Sequence, residues 1–355
     1  MSLYKTYKNK KVLITGHTGF KGRWLSLFLF KLNANLLGVS SERNQLSKII
    51  FNSIKQKMIE KIIDIRNYKK IKKIILTFKP DYIFHLAAQS IVKKSLKNVP
   101  LTWSTNLMGT LNLLESLRHL NKRCNVVIIT SDKCYKNLEK KSGYKENDIL
   151  GGSDPYSASK ASVEVLVNSY FQSFFKHKKK IRIVTARAGN VVGGGDFSKN
   201  RIIPDCIKSW QSDNKLILRN PNSTRPWQHV LEPLFGYLLL GKKLNRDEKL
   251  SGEPFNFGPS VNKNYTVLNI VKKIKKYLPS IKWKIKINDN INETKNLILQ
   301  SRKAFKHLQW KTILSIDEII LYTTEWYKKF YFSKKTIVNF SISQINNYLK
   351  KLPRS

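Results

Sequence analysis

The sequence is poor in acidic residues and in cysteine. Its 355 residues include 66 lysines and arginines but only 23 aspartates and glutamates, which gives a formal net charge of +43. The cysteines, Cys124, Cys134 and Cys206, form no CxxC pair and no ligand cluster with histidines. Sparse cysteines in an odd number are typical of a reducing compartment and exclude a disulfide-stabilised secreted domain. We therefore expect a cytoplasmic protein without a metal centre.

Long apolar runs are also missing. No stretch approaches the roughly 20 apolar residues that a membrane-spanning helix needs. The basic stretch 1–11 is followed by a short strand-like run, and not by the apolar core and cleavage site of a signal peptide. We expect no membrane segment.

The excess of lysine has two interpretations. A basic surface attracts phosphate backbones, which would indicate a nucleic-acid-binding protein. However, the lysines are scattered over predicted helices and loops beside abundant asparagine and isoleucine, as an AT-rich genome produces. No DNA- or RNA-binding module and no polybasic tail accompany them. We favour the second interpretation and expect no nucleic-acid partner.

The most informative local pattern is a β-branched run that ends in three glycines. Residues 11–15 predict a buried strand, Gly16, Gly19 and Gly22 follow, and an apolar helix begins near Trp24. Strand, glycine-rich turn and helix form the phosphate cradle of a dinucleotide-binding unit, because glycines let a pyrophosphate approach the helix N-terminus. The spacing is GxxGxxG and not GxGxxG, so a turn that binds nothing stays an alternative at this point.

Strands and helices continue to alternate along the chain. A helix is predicted over residues 105–114. Further strands are predicted at residues 35–39, 58–63, 81–89, 125–129 and 181–186. This alternation predicts an α/β fold with a doubly wound parallel sheet of the Rossmann type. Loops rich in glycine, proline, arginine and aromatic residues follow and predict a smaller C-terminal substrate-binding lobe. We expect the cofactor domain to cover residues 1–188, with residues 228–260 returning to it, and the lobe to comprise mainly residues 189–355.

Two further places along the predicted sheet suit a dinucleotide. The loop after the second strand would meet the adenosine ribose, but it carries both Glu42 and Arg43, so NAD and a 2′-phosphorylated cofactor stay open there. Asp64 and Ile65 follow the third strand. Asp64 is placed to accept a hydrogen bond from an adenine amino group, or alternatively to cap the next helix.

A tyrosine and a lysine are spaced to act together. Tyr156 and Lys160 lie four residues apart, on one face of a predicted helix. The lysine charge lowers the pKa of the phenol, and a tyrosinate can take a hydroxyl proton while hydride leaves for a nicotinamide. Ser131, at the end of the fifth strand, can hydrogen-bond the same substrate oxygen. YxxxK alone is common by chance, but its order after the glycine turn and Ser131 favours a dehydrogenase site.

Several longer segments resemble the extended short-chain dehydrogenases/reductases, and among them the nucleotide-sugar 4,6-dehydratases, nearly end to end. The segments are TGHTGFKG (15–22), HLAAQ (85–89), TSDKCY (130–135), GGSDPYSASK (151–160), ARAGNVVGGGD (186–196) and TRPWQHVLEP (224–233). Residues 21–25 and the triplet 131–133 are similar to members that act on CDP-glucose. Members that act on dTDP-glucose carry Asp-Glu where this chain has Asp132 and Lys133.

The resemblance implies bound NAD, a nucleotide-sugar substrate and a homodimer formed through the helices around residues 106–117 and 156–171. The residues it assigns to the cofactor are Gly16, His17, Thr18, Gly19, Phe20, Lys21, Gly22, Asp64, Ile65, Ala87, Ala88, Gln89, Asn106, Tyr156 and Lys160. It places Asn190 and Arg201 against the sugar nucleotide, and Arg225 as a bidentate clamp on the pyrophosphate.

The resemblance also implies a hydro-lyase reaction. Tyr156, helped by Ser131 and Lys160, takes the proton of the glucose 4-hydroxyl as hydride passes from C4 to NAD. Asp132 protonates the departing 6-hydroxyl, a base removes the C5 proton, and hydride returns to C6, giving CDP-4-dehydro-6-deoxyglucose.

Two parts of this expectation stay open. Lys133 stands where related dehydratases have a glutamate base, so it either takes the C5 proton or steadies the enolate. Another dehydratase or epimerase of the family, acting on a dTDP- or GDP-sugar, is the alternative function, although epimerases generally lack an acid directly after the serine or threonine.

A third hypothesis, a nucleic-acid-binding protein with an inactive dehydrogenase fold, predicts loss of the glycines, Tyr156 or Lys160. A deoxysugar product would serve O-antigen or capsule synthesis.

Overall fold

The computed structural model contains one large twisted sheet, and describes residues 2–199, 201–259, 265–286 and 297–353. Its strands are β1 (Lys11–Thr15), β2 (Asn35–Ser40), β3 (Met58–Ile62), β4 (Tyr82–His85), β5 (Cys124–Ile129), β6 (Ile181–Ala188), β7 (Val191–Val192), β8 (Leu216–Leu218), β9 (Thr224–Arg225), β10 (Gln228–His229), β11 (Pro254–Phe257), β12 (Tyr265–Thr266) and β13 (Trp283–Ile285). Its α-helices are α1 (Leu3–Tyr7), α2 (Phe20–Lys31), α3 (Gln45–Ile54), α4 (Tyr68–Phe78), α5 (Val92–Lys97), α6 (Val99–Trp103), α7 (Gly109–Arg118), α8 (Pro155–Tyr170), α9 (Ile202–Ser212), α10 (Leu231–Arg246), α11 (Val267–Tyr277), α12 (Arg302–Leu308), α13 (Ile316–Phe332) and α14 (Ile337–Lys350).

The seven strands of the large sheet are all parallel. Their order is β3-β2-β1-β4-β5-β6-β11, and each neighbouring pair runs in the same direction. The chain order therefore reverses between β1 and β4. A crevice opens at the carboxyl ends of the strands on either side of such a reversal, and ligands of doubly wound folds bind there. The predicted fold class is confirmed.

Helices cover both faces of the sheet, as the alternation of side chains in β1 requires. Val12 and Ile14 are buried with residues of α2 and α10, whereas Leu13 is buried with residues of α4, α7 and α8. Successive side chains of a strand point to opposite faces, so a strand that is covered on both faces is apolar throughout. This arrangement leaves the carboxyl edge of the sheet as the accessible place for a ligand.

The start of α8 is determined locally. Asp154 accepts hydrogen bonds from the backbone N–H groups of Tyr156 and Ser157, both at 3.0 Å, and Pro155 occupies the first helical position. A capping carboxylate followed by proline is a strong helix start. The predicted helix is confirmed, and its first turn holds Tyr156.

The helix predicted over residues 105–114 is not uniform. Residues 104–108 form a π-helical turn between α6 and α7. Inside that turn the Asn106 amide donates to Ser159 Oγ at 2.8 Å and to the Gln89 carbonyl at 3.1 Å, while its oxygen accepts from Gln89 N at 2.8 Å. The wider turn places the Asn106 side chain between β4 and α8, which a regular apolar periodicity does not reveal.

The C-terminal part of the chain combines small sheets with helices. Three two-stranded pairs, β7 with β10, β9 with β12 and β8 with β13, lie outside the large sheet. Between them the chain returns to the large sheet through β11, which pairs with β6. Residue 260, at the predicted end of the returning segment, lies outside the described residues. Over the part of the chain that the structure describes, no helix is both long and apolar enough to cross a bilayer.

A buried glutamate attaches the C-terminal segments to α10. Glu232 is fully buried, and its Oε1 accepts from the backbone N–H groups of Ile313 at 2.9 Å and Leu314 at 2.8 Å. Its Oε2 accepts from the Tyr348 hydroxyl at 2.8 Å. One carboxylate thus holds both the segment before α13 and helix α14.

Replacement of this carboxylate is expected to destabilise the fold. Glu232→Ala leaves buried donors without an acceptor, so we expect the free energy of unfolding to fall by about 3 kcal/mol or more. Urea unfolding measures the change. The control Glu325→Ala removes a partly exposed ion pair with Lys328 and should stay within about 0.5 kcal/mol of the parent. Equal effects of the two variants would contradict the role of Glu232.

Candidate active site

The glycine turn after β1 is closely packed against β4. Gly16 has a φ of +77°, and a Cβ there would lie 2.7 Å from the Ala87 nitrogen. A Cβ on Gly22 would lie 2.1 Å from the Gly16 carbonyl oxygen. Helix α2 therefore begins directly above the end of β1, with Gly19 as its N-cap. The first N–H groups of a helix have no acceptor within the helix, so the start of α2 suits the pyrophosphate of a dinucleotide.

His17 and Thr18 brace this turn against the neighbouring strands. His17 is buried with Nε2 at 2.6 Å from Glu60 Oε1 and Nδ1 at 3.0 Å from Ser40 Oγ. The Thr18 N–H donates to the same Ser40 hydroxyl at 3.2 Å. Glu60 also pairs with Arg43. Glu60 was missed by the sequence analysis, because a single carboxylate inside a strand gives no signal of a partner 43 residues away.

Asp64 and Ile65, the cofactor candidates that follow β3, contact neighbouring residues. The Asp64 carboxylate is held by Arg66, whose Nη2 donates to Oδ2 at 2.7 Å, and this partner lowers the pKa of Asp64. Ile65 is buried beside Gly109. The alternative capping role of Asp64 is wrong, because Asn67 caps α4.

On the near side, the segment after β4 passes along the crevice. Ala87 lies against Gly16, as described above, and Ala88 follows it. Gln89 is buried, and its amide donates to Thr102 Oγ1 at 3.1 Å. Together with the Asn106 contacts, this fixes the backbone that borders the crevice.

Ser131, Asp132 and Tyr156 meet at the carboxyl end of β5. Ser131 Oγ donates to Asp132 Oδ1 at 2.9 Å, and the Tyr156 hydroxyl hydrogen-bonds Ser131. All three residues are buried. Burial raises the pKa of Tyr156 to about 12, and the hydrogen bond with Ser131 opposes that rise. A cation beside the phenol is therefore needed before it can act as a base near neutrality.

Lys160 lies one helical turn beyond Tyr156 in α8. It is buried on the same face of α8 as Tyr156, and its Nζ donates to the Ile129 carbonyl at 3.2 Å. Burial lowers the pKa of Lys160 to about 8, and the nearby Glu164 carboxylate opposes this. Lys133 is half-buried at the other side of the cluster, and its N–H donates to Ser131 Oγ at 3.3 Å.

A second lysine, Lys21, is partly buried and lies near Asp132. Lys21 Nζ donates to the Tyr237 hydroxyl at 3.3 Å. Burial lowers the pKa of Lys21 to about 7, and the charge of Asp132 opposes that change. The family resemblance implied only a cofactor role for Lys21, and Tyr237 of α10 gave no signal because it lies in an apolar helical pattern. Phe20 precedes Lys21 at the start of α2 and packs against the core.

Two residues next to predicted substrate residues lie near Asp132. A Cβ on Gly189, which precedes Asn190, would lie 3.2 Å from Asp132 Oδ2 and 3.9 Å from Cγ of Pro226, which follows Arg225. Arg201, at the start of α9, donates to Asp196 Oδ2 at 2.9 Å.

The charge of Arg201 also reaches the catalytic cluster, where it lowers the pKa of Tyr156. Arg201 thus lies close enough to Tyr156 for its charge to act there, and the same charge acts on Lys21 in the glycine turn.

Comparison with known proteins agrees with this geometry. The family model described as GDP-mannose 4,6 dehydratase matches residues 13–323. A Salmonella typhimurium protein named CDP-glucose 4,6-dehydratase is 36% identical over 354 residues, which cover 98% of each chain. A Mycoplasma genitalium UDP-glucose 4-epimerase is 24% identical and covers 90% of this chain and 97% of its own.

Solved structures share the fold. An epimerase from Methanothermobacter thermautotrophicus has a TM-score of 0.81 at 22% identity, covering 93% of this chain and 95% of its own. A dTDP-glucose 4,6-dehydratase from Bacillus anthracis, solved with NAD, has a TM-score of 0.72 at 19% identity, covering 92% of this chain and 98% of its own. The family match and the 36% identity together establish that this chain belongs to the nucleotide-sugar dehydratase family of the GDP-mannose 4,6-dehydratase type, within the extended short-chain dehydrogenases/reductases.

Proposed function

We propose that this chain is a CDP-glucose 4,6-dehydratase. The observation that carries the proposal is the buried cluster in which an acid, Asp132, directly follows Ser131 and accepts its hydrogen bond beside Tyr156. Oxidation of a sugar hydroxyl needs the tyrosine and the serine, whereas loss of water needs the additional acid. The substrate choice is supported by the 36% identity to a protein named for CDP-glucose.

The cofactor we propose is NAD. The packing around Gly16 and Gly22 fits a pyrophosphate that lies against backbone, and Arg43 is paired with Glu60 and so is engaged away from a 2′-phosphate. The residues we assign to hold it are those of the turn 16–22 and Asp64, Ile65, Ala87, Ala88, Gln89, Asn106, Tyr156 and Lys160. When bound, NAD supplies an acceptor for the C4 hydride and the donor that returns it to C6.

At C4 the chain supplies a base and its support. Tyr156 takes the proton of the 4-hydroxyl, Ser131 orients that oxygen, and Lys160 stabilises the phenolate by its charge. The burial of all three residues keeps water away from the transferred proton and strengthens the interaction between the two charges.

At C5 and C6 the chain supplies an acid and a cation. Asp132 delivers a proton to the departing 6-hydroxyl, which leaves as water. Lys133, beside it, takes the C5 proton or steadies the enolate. The 4-ketone acidifies the C5 hydrogen, so a modest base is sufficient for this step.

Three loops bind the nucleotide sugar. Asn190 lies on the Asp132 side of the crevice, Arg225 is the clamp for the pyrophosphate, and Arg201 contributes positive charge near Tyr156. An arginine binds phosphate oxygens through two parallel hydrogen bonds, which fixes the sugar with respect to the catalytic cluster. We assign cofactor binding to a domain of residues 1–188 with 228–260, and nucleotide-sugar binding to a lobe made mainly of residues 189–355.

We also infer a cytoplasmic location and a homodimer. The three cysteines are free and buried, which suits a reducing compartment. Helices α7 and α8 lie side by side, and large apolar side chains are exposed nearby, with Val165 of α8 at 59% and Met108, directly before α7, at 46%. An apolar helix pair at the surface is suited to pack against a second copy.

The function is tested directly with the purified protein and CDP-glucose. We expect a 4-keto-6-deoxy product, detected by the absorbance of its enolate in alkali and by mass spectrometry as loss of water. Product from dTDP- or GDP-glucose or GDP-mannose but not from CDP-glucose would overturn the substrate assignment. Interconversion with the 4-epimer without loss of water would favour an epimerase and contradict the proposal.

Asp132→Asn separates oxidation from dehydration. Asparagine keeps the shape but cannot donate the proton, so we expect formation of the dehydrated product to fall by about 100-fold or more. Reduced nicotinamide should still form and persist at 340 nm. The control Asp317→Asn removes an exposed carboxylate far along the chain and should leave both steps unchanged. Equal loss of both steps in Asp132→Asn would contradict the assigned role.

The homodimer is tested by light scattering. We expect a mass twice that of one chain, and we expect Val165→Lys to shift the protein toward the mass of one chain because it places a charge in the apolar contact. Phe332→Lys is the matched control, since Phe332 is 79% exposed on α13, away from α7 and α8. A parent protein with the mass of a single chain would exclude the proposed dimer.

A further inference from the structure

We propose that Glu164, one helical turn beyond Lys160 in α8, is a positioning residue that keeps the Lys160 side chain charged and fixes the start of the Ser131–Lys133 turn. The inference rests on the proposed function for its meaning, because Lys160 and Ser131 act in the hydride-transfer step. The effect of the Glu164 carboxylate on the charge of the buried Lys160 amine can be measured without substrate.

The Glu164 carboxylate is buried and fully engaged. Only 5% of the residue is exposed. Oε1 accepts a hydrogen bond from Thr130 Oγ1, while Oε2 accepts from Thr185 Oγ1 at 2.7 Å and from Arg187 Nη2 at 2.8 Å. Both carboxylate oxygens therefore have hydrogen-bond donors inside the protein, and Arg187 is also an ion-pair partner.

Helix α8 holds the end of β5 at two consecutive residues. Lys160 Nζ donates to the Ile129 carbonyl at 3.2 Å, and Glu164 accepts from the side chain of Thr130. The next residue is Ser131, whose hydroxyl bonds Asp132. A displacement of Thr130 would therefore move the serine and the acid together, and positional errors of about 1 Å at reacting groups reduce rates strongly.

Glu164 and Cys134 are the acidic groups whose charges would act on Lys160, and Glu164 has the larger effect. Burial raises the pKa of the Cys134 thiol well above its usual value, so this thiol is neutral. The Tyr156 phenol, one turn earlier in α8, is neutral as well, because burial raises its pKa to about 12. His85 of β4 has a pKa lowered to about 3 and carries no charge. Lys21 of α2 repels Lys160 when it is protonated.

The sign of the effect follows from these neighbours. Burial favours the neutral amine of Lys160 and lowers its pKa to about 8, while Glu164 favours the ammonium form. Loss of the carboxylate would lower the pKa further, and the ammonium fraction near neutrality would fall. The Tyr156 phenolate would then lose the support that the proposed function assigns to Lys160.

Arg187, the ion-pair partner of Glu164, also hydrogen-bonds residues that lie after the Ser131–Lys133 turn. Arg187, 3% exposed, also donates to the Tyr135 hydroxyl at 2.7 Å and to the Glu146 carbonyl at 2.8 Å. It lies near the end of β6, two residues before Gly189. One buried ion pair thus connects the turn that carries the acid with the loop that carries Asn190.

The experiment is an NMR titration of the full-length protein labelled at lysine 13Cε, with the Lys160 resonance assigned by its loss in Lys160→Met. We expect a midpoint near 8 in the parent and a midpoint lower by about one pH unit or more in Glu164→Gln. Glu164→Asp retains the charge and should restore most of the shift. A parent midpoint above 10, or an unchanged midpoint in folded Glu164→Gln, would overturn the proposal.

Two further variants separate charge from packing. Thr130→Val removes a hydrogen bond but keeps the carboxylate, so it should slow reduction of the nicotinamide at 340 nm without moving the Lys160 midpoint. The double variant Glu164→Gln/Arg187→Met avoids a buried unpaired guanidinium and should fold even where the single variant does not. A lowered midpoint is expected in it as well, and an unchanged midpoint would contradict the proposal.

The result of the Lys160 titration does not depend on the result of the CDP-glucose assay. The titration uses no sugar nucleotide, so a parent that fails to convert CDP-glucose still shows whether Glu164 controls Lys160. For an active parent, the alkaline limb of the pH profile for hydride transfer should move to lower pH in Glu164→Gln and stay in place in Thr130→Val.

Discussion

The close contact between helix α8 and the carboxyl end of β5 is the constraint on which the site depends. Two hydrogen bonds across this contact, from Lys160 to Ile129 and from Thr130 to Glu164, place the serine, the acid and the tyrosine within one buried cluster. The contact exists because β5 is covered on both faces and because Asp154 and Pro155 start α8 just before Tyr156. The positions of the serine, the acid and the tyrosine are therefore determined by how α8 packs against the sheet.

The scarcity of acidic residues gives the buried carboxylates particular weight. Asp132, Glu164 and Glu232 are nearly or completely buried, although the surface of the protein is strongly basic. Glu164 and Glu232 each accept hydrogen bonds from segments far apart in the chain, whereas Asp132 accepts from the adjacent Ser131. The excess of lysine and arginine over acidic residues makes the protein as a whole strongly positive, which attracts a doubly negative nucleotide sugar.

Much of the fold was predictable from sequence because its signals are local. The strand before Gly16, the alternation of strands and helices, the helix start at Asp154 and the spacing of Tyr156 and Lys160 all depend on neighbouring residues. The comparisons confirm the family that the longer motifs resemble.

The parts that the sequence analysis missed depend on distant contacts. The π-helical turn at Asn106, the support of His17 by Glu60 and the pairing of Glu164 with Arg187 each join residues from separate elements. A helical apolar pattern also concealed Tyr237, whose hydroxyl becomes a partner of Lys21 only when α10 packs over the turn. Such contacts have no periodic signature, so spacing alone does not indicate them.

The central claim is that one site oxidises C4, removes water and returns the same hydride to C6. The most direct measurement uses CDP-glucose carrying deuterium at C4, followed by mass spectrometry and NMR of the product. The account predicts a 4-keto-6-deoxy sugar with deuterium at C6 and no exchange with unlabelled NADH in the medium. Deuterium lost to the medium, or kept at C4 of an epimer, would contradict it.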